Sequence, residues 1–241
     1  MKAHGTFISI LISMTSVDSS YAQQSAAPVK IAGQMKDVMW EGQLHGKIEL
    51  DTILNREHLY GLGPVEYLTG EIMIIDGRCF ISEVESDTSM RVEETFAVKA
   101  PFFGYANVSN WKPTVLPDTV LDPLQLQYHL EKETSVRDQP FFFKLNGYVE
   151  NATVHVVNLP GGSTVSSPEE AHRGQKDYAI GNEKVEILGF FSTRHKTIFT
   201  HHDTFLHMHL MTHDRKKMGH LDAFRFKKGE MMLYLPSDSV E

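Results

Sequence analysis

Thr204-Phe205-Leu206-His207-Met208-His209-Leu210-Met211 alternates apolar side chains with imidazoles. Read as a strand, the run puts residues i and i+2 on one face. His207 and His209 then stand side by side, roughly 7 Å apart along the pleat. Leu206, Met208 and Leu210 fill the opposite, core-facing side. Read as a helix, the two imidazoles would lie about 200° apart and could not share a metal. Strand and chelation therefore support each other. The polar run His213-Asp214-Arg215-Lys216-Lys217-Met218-Gly219 follows as a turn. A returning strand that begins at His220 brings a third imidazole opposite the first two. Three neutral imidazoles so arranged suit Zn²⁺ or another divalent metal, with positions left open for chemistry. Two readings compete: surface or core histidines without metal, and a His-rich storage segment. The second leaves the apolar strand around the pair unexplained.

The rest of the composition is that of an ordinary globular chain. It has 241 residues, 41% hydrophobic and 22% charged, with 17 Gly and 10 Pro. Disordered, collagen-like and low-complexity classes are excluded. One large or two small domains fit the length, and such a chain buries a core without staples. With 23 basic against 31 acidic side chains, a net charge of −8 and no basic stripe, nucleic acid is not an expected partner. Cys79 is the single cysteine, so disulfide scaffolds and Cys-based zinc knuckles are excluded. Histidine is the unusual count: of 13, seven fall between His195 and His220.

The first 22 residues read as a secretory signal, with Lys2 at the positive end, a mostly apolar Phe7 to Met14, and Ser20-Tyr21-Ala22 as the cleavage site. That apolar run is too short to span a bilayer. Residues 23–34 read as a flexible lead-in. A periplasmic or secreted protein without a membrane partner is expected.

Along the chain, residues 30–60 favour helix, with a short amphipathic one at Asp51-Thr52-Ile53-Leu54, and Gly61-Leu62-Gly63-Pro64 forces a turn. Glu71-Ile72-Met73-Ile74-Ile75, Asp76-Gly77 and Arg78-Cys79-Phe80-Ile81 make a hairpin. Phe96 to Phe103 is a further strand. Residues 111–123 connect to a helix at Pro123 to Lys132. Phe141 to Val157 reads as two strands, and Leu159 to Gly181 as a long loop, either an active-site edge or plain solvent loop. Glu183 to Phe191, Thr204 to Met211 and His220 to Phe226 are the last strands, and Tyr234-Leu235-Pro236 ends the ordered part. The expected class is α+β, dominated by mixed or antiparallel sheets. Its two β-rich subdomains span about 35–135 and 136–236, with the metal site on a C-terminal hairpin.

These residues resemble a known family. Phe205-Leu206-His207-Met208-His209-Leu210, Asp214-Arg215-Lys216 and Gly219-His220-Leu221-Asp222 are similar to the zinc-binding signature of α-acetolactate decarboxylases, including the eleven-residue interval from His209 to His220. Upstream, Gly61-Leu62-Gly63, Leu68-Thr69-Gly70-Glu71 and Asp76-Gly77 resemble the family's GLGTF, LDGE and DG segments. Thr95-Phe96-Ala97-Val98 with Phe102-Phe103 resembles its TPFAV strand. Asn146-Gly147 after Phe143-Lys144-Leu145 resembles the strand and turn before its catalytic arginine. The likeness covers roughly residues 35–226.

The resemblance implies that His207, His209 and His220 bind the metal and that Glu71 is a fourth ligand or proton carrier. It implies conversion of 2-acetolactate to acetoin, with Zn²⁺ or another divalent ion as Lewis acid on the ketone and hydroxyl oxygens, and a homodimer is possible. Three positions depart from the pattern. Pro64 replaces a threonine. His155, in Thr153-Val154-His155-Val156-Val157, falls where the arginine is expected and is the candidate catalytic substitute. No motif assigns the family's second glutamate, for which Glu230 and Glu241 are candidates by composition. The alternatives are a family member acting on another small keto or hydroxy acid, and a non-catalytic metal-binding module.

Overall fold

The computed structural model describes residues 28–133, 139–200 and 203–237, together with Met1. The expected signal segment beyond Met1, His201, His202 and Glu241 lie outside the described residues.

Strands dominate. In chain order they are β1 (Lys30–Ala32), β2 (Ile48–Glu49), β3 (Leu59–Pro64), β4 (Glu71–Ile75), β5 (Arg78–Val84), β6 (Met90–Glu94), β7 (Lys99–Ala100), β8 (Phe103–Asn107), β9 (Trp111–Val115), β10 (Phe141–Val156), β11 (Lys176–Phe191), β12 (Leu206–Thr212) and β13 (Met218–Pro236). Among the described residues three short helices accompany them: α1 (Met35–Met39), α2 (Pro123–Glu133) and α3 (Pro168–Ala171). Among the described residues no helix is long and apolar enough to cross a membrane.

One sheet has six strands in the order β1-β8-β3-β4-β5-β6, all antiparallel. The β4–β5 hairpin turns at Asp76-Gly77, where φ is 46° and 77°, the left-handed pair that matches strand twist. The second sheet runs β10-β11-β12-β13-β9, and β10 also pairs with β13. Four of its strands therefore close into a ring, which removes their free edges.

Period-2 alternation decides what each face of the ring meets. Leu206, Met208 and Leu210 of β12, Val154 and Val156 of β10, and Leu221 of β13 point into the ring and join Leu126 and Leu130 of α2 in its core. Met211, Met218, Val157 and Leu188 point outward, against Tyr60, Leu62, Met73 and Phe80 of the six-stranded sheet and Met35, Val38 and Met39 of α1. A third cluster, with Ile72, Ile74 and Cys79, covers the far face of that sheet.

Several expectations are corrected. Residues 30–60 are not mainly helical: α1 and a single 3-10 turn at Leu50–Thr52 sit among β1, β2 and the start of β3. Gly61-Leu62-Gly63-Pro64 is not a turn but the body of β3. Its glycines admit a neighbour, since a Cβ on Gly61 would lie 2.7 Å from the Phe103 ring. Phe96 to Phe103 holds only the two-residue β7, and β8 begins where that strand was expected to stop. Residues 111–123 contribute β9, which pairs Trp111 with Pro236 and so holds β13 to its end. The proline is tolerated because β9 is an edge strand. Phe141 to Val157 is one strand, not two, bent by register shifts at Gly147/Val149, Val149/Asn151 and Thr153/Val154. Asn146-Gly147 is mid-strand rather than a turn, because Glu230 of β13 passes so close that a Cβ on Gly147 would lie 1.9 Å from its carbonyl oxygen. The loop from Leu159 is shorter than expected, interrupted by α3 and ended by β11.

Candidate metal centre

β12 and β13 form the expected hairpin, and His209 pairs directly with His220. His220 is also the register partner of His155 on β10. Three adjacent strands of the ring thus carry imidazoles on the outward face, opposite the apolar residues that anchor each strand in the ring core. One ring nitrogen from each of His207, His209 and His220 lies within 4.8 Å of the others. All three side chains are buried.

The donor set suits a divalent ion. The Phe199 carbonyl accepts from His207 Nδ1 at 2.7 Å, which fixes that tautomer and leaves Nε2 as the basic nitrogen. His209 is fully buried, yet neither ring nitrogen closes a hydrogen bond of ordinary geometry. Burial first, then the charge of His155, push its pKa down to about 3, against the pull of the Ile72 backbone. A buried imidazole held neutral with its nitrogens unsatisfied is costly unless something takes its lone pair.

Glu71 comes from the other sheet. As the first residue of β4 it shares a face with Met73 and Ile75, so it points into the layer between the sheets. Its Oε2 is 3.5 Å from His209 Nε2 and its Oε1 is 3.9 Å from His155 Nε2. The Val157 N–H donates to Oε1 at 3.4 Å. Burial pushes the Glu71 carboxyl up to about 8, although the His155 charge and the Val157 N–H pull the other way and Asp222 adds to the rise.

His155 is brought to the same place. Its ring stacks on His220 with centroids 4.7 Å apart, and Asp222 holds its Nδ1 at 2.8 Å through both oxygens. Burial alone would lower the His155 pKa. The Asp222 hydrogen bond and charge, with Glu71 and Asp177 behind them, outweigh it and hold the pKa above the ordinary value. Nε2 therefore presents a positive N–H toward Glu71. A narrow cleft opens onto these groups, lined also by Pro64, Leu68, Phe102 and His172.

His195 bonds Ser192 at 2.7 Å in a loop, and His213 is exposed in the hairpin turn. Glu230 pairs with Lys227 at the surface and does not line the cleft. Two residues of the site carry no role in the sequence reading. Asp222 could have been found by its i+2 spacing from His220 on one strand face. His172 stands edge-on to His155 at 5.8 Å from the segment after α3, and no spacing marks it.

A profile of the alpha-acetolactate decarboxylase family matches residues 33–238. The chain belongs to that family. Its fold is also that of the alpha-acetolactate decarboxylase from Bacillus subtilis strain 168, with TM-score 0.71, 16% identity, 86% of this chain and 85% of that one covered. A second crystal structure, of the acetolactate decarboxylase from Bacillus subtilis subspecies spizizenii, gives 0.69, 16%, 86% and 85%. A Staphylococcus aureus protein of unknown function similar to alpha-acetolactate decarboxylase gives 0.66, 17%, 86% and 84%. Nothing among the curated proteins matches this chain. At such identities the likeness carries the fold, and the chemistry rests on the residues of the cleft.

Proposed function

We propose that this family member is an exported, metal-dependent decarboxylase that converts 2-acetolactate to acetoin. The observation that carries the reading is His209, a buried imidazole whose nitrogens close no hydrogen bond of ordinary geometry, set between two more imidazoles and a buried carboxyl. His207, His209 and His220 would hold Zn²⁺ or another divalent ion, with Glu71 as fourth ligand or proton carrier. Such an ion, when bound, supplies a Lewis acid for the ketone and hydroxyl oxygens of the substrate.

The chain's own groups divide the remaining tasks. The reaction breaks the bond between the carboxylate and its neighbouring carbon, CO₂ departs, and the electron pair stays behind until a proton neutralises it. The His155 imidazolium presents a fixed N–H donor to the substrate carboxylate, the work expected of an arginine, and Asp222 keeps it charged. Glu71, buried beside His209 and His155, is the carboxyl that would deliver one. Pro64 and Leu68 keep the entrance apolar and limit water. The Ser20-Tyr21-Ala22 signal supports export.

Acetoin production from racemic 2-acetolactate by purified, metal-loaded protein tests the reading. Stoichiometric acetoin and CO₂ are expected. Tight metal binding without acetoin would favour a non-catalytic module or another small keto acid.

A further inference from the structure

The layer between the sheets has a second mouth. Met211 lies two residues beyond His209 on the same face of β12, and past it the apolar packing gives way to an open cavity of about 280 Å³. Its polar lining is Tyr60, Asp76, Arg78, Lys144, Glu186 and Arg215, and it shares no residue with the metal cleft. Two of these charges are spent internally. Asp76 pairs with His58 at 2.9 Å, and Glu94 binds Arg78, with 2.9 Å at Nε.

Lys144 and Arg215 are not spent. Lys144 projects outward from β10, half-buried over the rings of Trp111 at 4.5 Å, Tyr60 at 5.1 Å and Tyr234 at 5.3 Å. Its one hydrogen bond is a long one, 3.4 Å to the Tyr60 oxygen. An ammonium has three donors, so most of its capacity faces the cavity. Arg215 sits in the hairpin turn at φ 59°, its guanidinium lying on the Phe80 ring at 4.9 Å. Among the described residues neither cation closes an ion pair at contact distance, although the charge of Glu186 acts on both from across the cavity. The ring contact places the guanidinium beside the cavity, and a planar guanidinium can take an oxyanion in a fork. Glu186 also lines the cavity: burial pushes its carboxyl up, while the charges of Lys144 and Arg215 pull it back down.

We propose that this cavity is a second ligand site, independent of the reaction at the metal, which holds a small oxyanion, carboxylate or phosphate, through Lys144 and Arg215. The test uses Trp111, which becomes the sole tryptophan in a Trp40→Phe background. Its emission responds when the ammonium over its ring is drawn to a ligand. Metal-loaded full-length protein is titrated with sodium phosphate, and separately with sodium acetate, at ionic strength held constant with sodium chloride. A saturable change is expected with at least one of them, and the anion that gives it identifies the source. Arg215→Asn keeps a residue tolerant of the left-handed turn and should weaken the apparent Kd by at least about tenfold. His207→Ala, which disables the metal cleft, should leave the Kd unchanged. The proposal fails if neither anion gives saturation at constant ionic strength. It also fails if Arg215→Asn binds like its parent, or if His207→Ala abolishes the change.

Discussion

Replacing Asp222 by Asn probes the one strong ion pair of the centre. The substitution keeps shape and hydrogen-bonding capacity but removes the charge that holds His155 protonated. The pair closes at 2.8 Å on both oxygens, with 7% of the His155 and 37% of the Asp222 side chain exposed. A hydrogen bond to a charged group contributes about 1.5–3 kcal/mol, and solvent on the Asp222 side screens it toward the low end, about 1.5–2 kcal/mol. For a chain of this size that is a fall in Tm of about 3–8 °C. The sign with pH follows from the raised His155 pKa. The stabilisation is fully present below the unfolded histidine value and disappears as pH rises through the higher folded one. Thermal melts in excess EDTA, at about pH 6 and about pH 9, bracket the ordinary histidine pKa of about 6.5. The gap between wild type and Asp222→Asn should be wide at the acid end and narrow at the alkaline end. Glu71, whose folded pKa is also raised, tilts both curves the same way and largely cancels in the difference. A gap of equal size at both pH values would refute the charged-pair account.

His207→Ala should lose most bound metal and all metal-dependent activity while Leu206, Met208 and Leu210 keep the strand folded; His213→Ala, in the turn, should retain normal metal content, and elemental analysis after dialysis checks both. His155→Gln should lower kcat/KM for 2-acetolactate by about 100-fold, and wild-type kinetics at every pH would remove His155 from the mechanism. Gly147→Ala should cost about 1–3 kcal/mol or more in denaturant melts, since its Cβ would lie 1.9 Å from the Glu230 oxygen. Gly161→Ala, whose Cβ meets nothing within 4 Å, should stay within about 0.5 kcal/mol of wild type.

Much of the centre was legible because strand periodicity acts locally. The Leu-His-Met-His-Leu alternation assigns faces without knowledge of any partner, and the turn length then limits where His220 can return. The family pattern brought Glu71 and His155 to the same place, although they lie on different sheets. Legibility failed where the cause was a distant neighbour. Gly61-Leu62-Gly63-Pro64 carries turn-forming residues, but Phe103 occupies the space their missing side chains leave. Gly147 looks like a turn residue for the same reason, with Glu230 as the hidden neighbour. The unpaired Lys144 and Arg215 are ordinary surface cations in sequence, and only the packing of the two sheets sets them around one cavity.

The ring of β10 to β13 means that His209, His220 and His155 ride on strands bonded side by side, with no free edge between them. The backbone of none of the three can shift without breaking a ladder on both flanks, and amides along these strands should exchange with solvent only on global unfolding. The centre is thus a rigid gauge, its aperture set before any ion arrives. Chelation should leave an empty but folded barrel that takes back metal without refolding. Ions should then be sorted by how well their preferred bond lengths fit a frame that does not adjust to them.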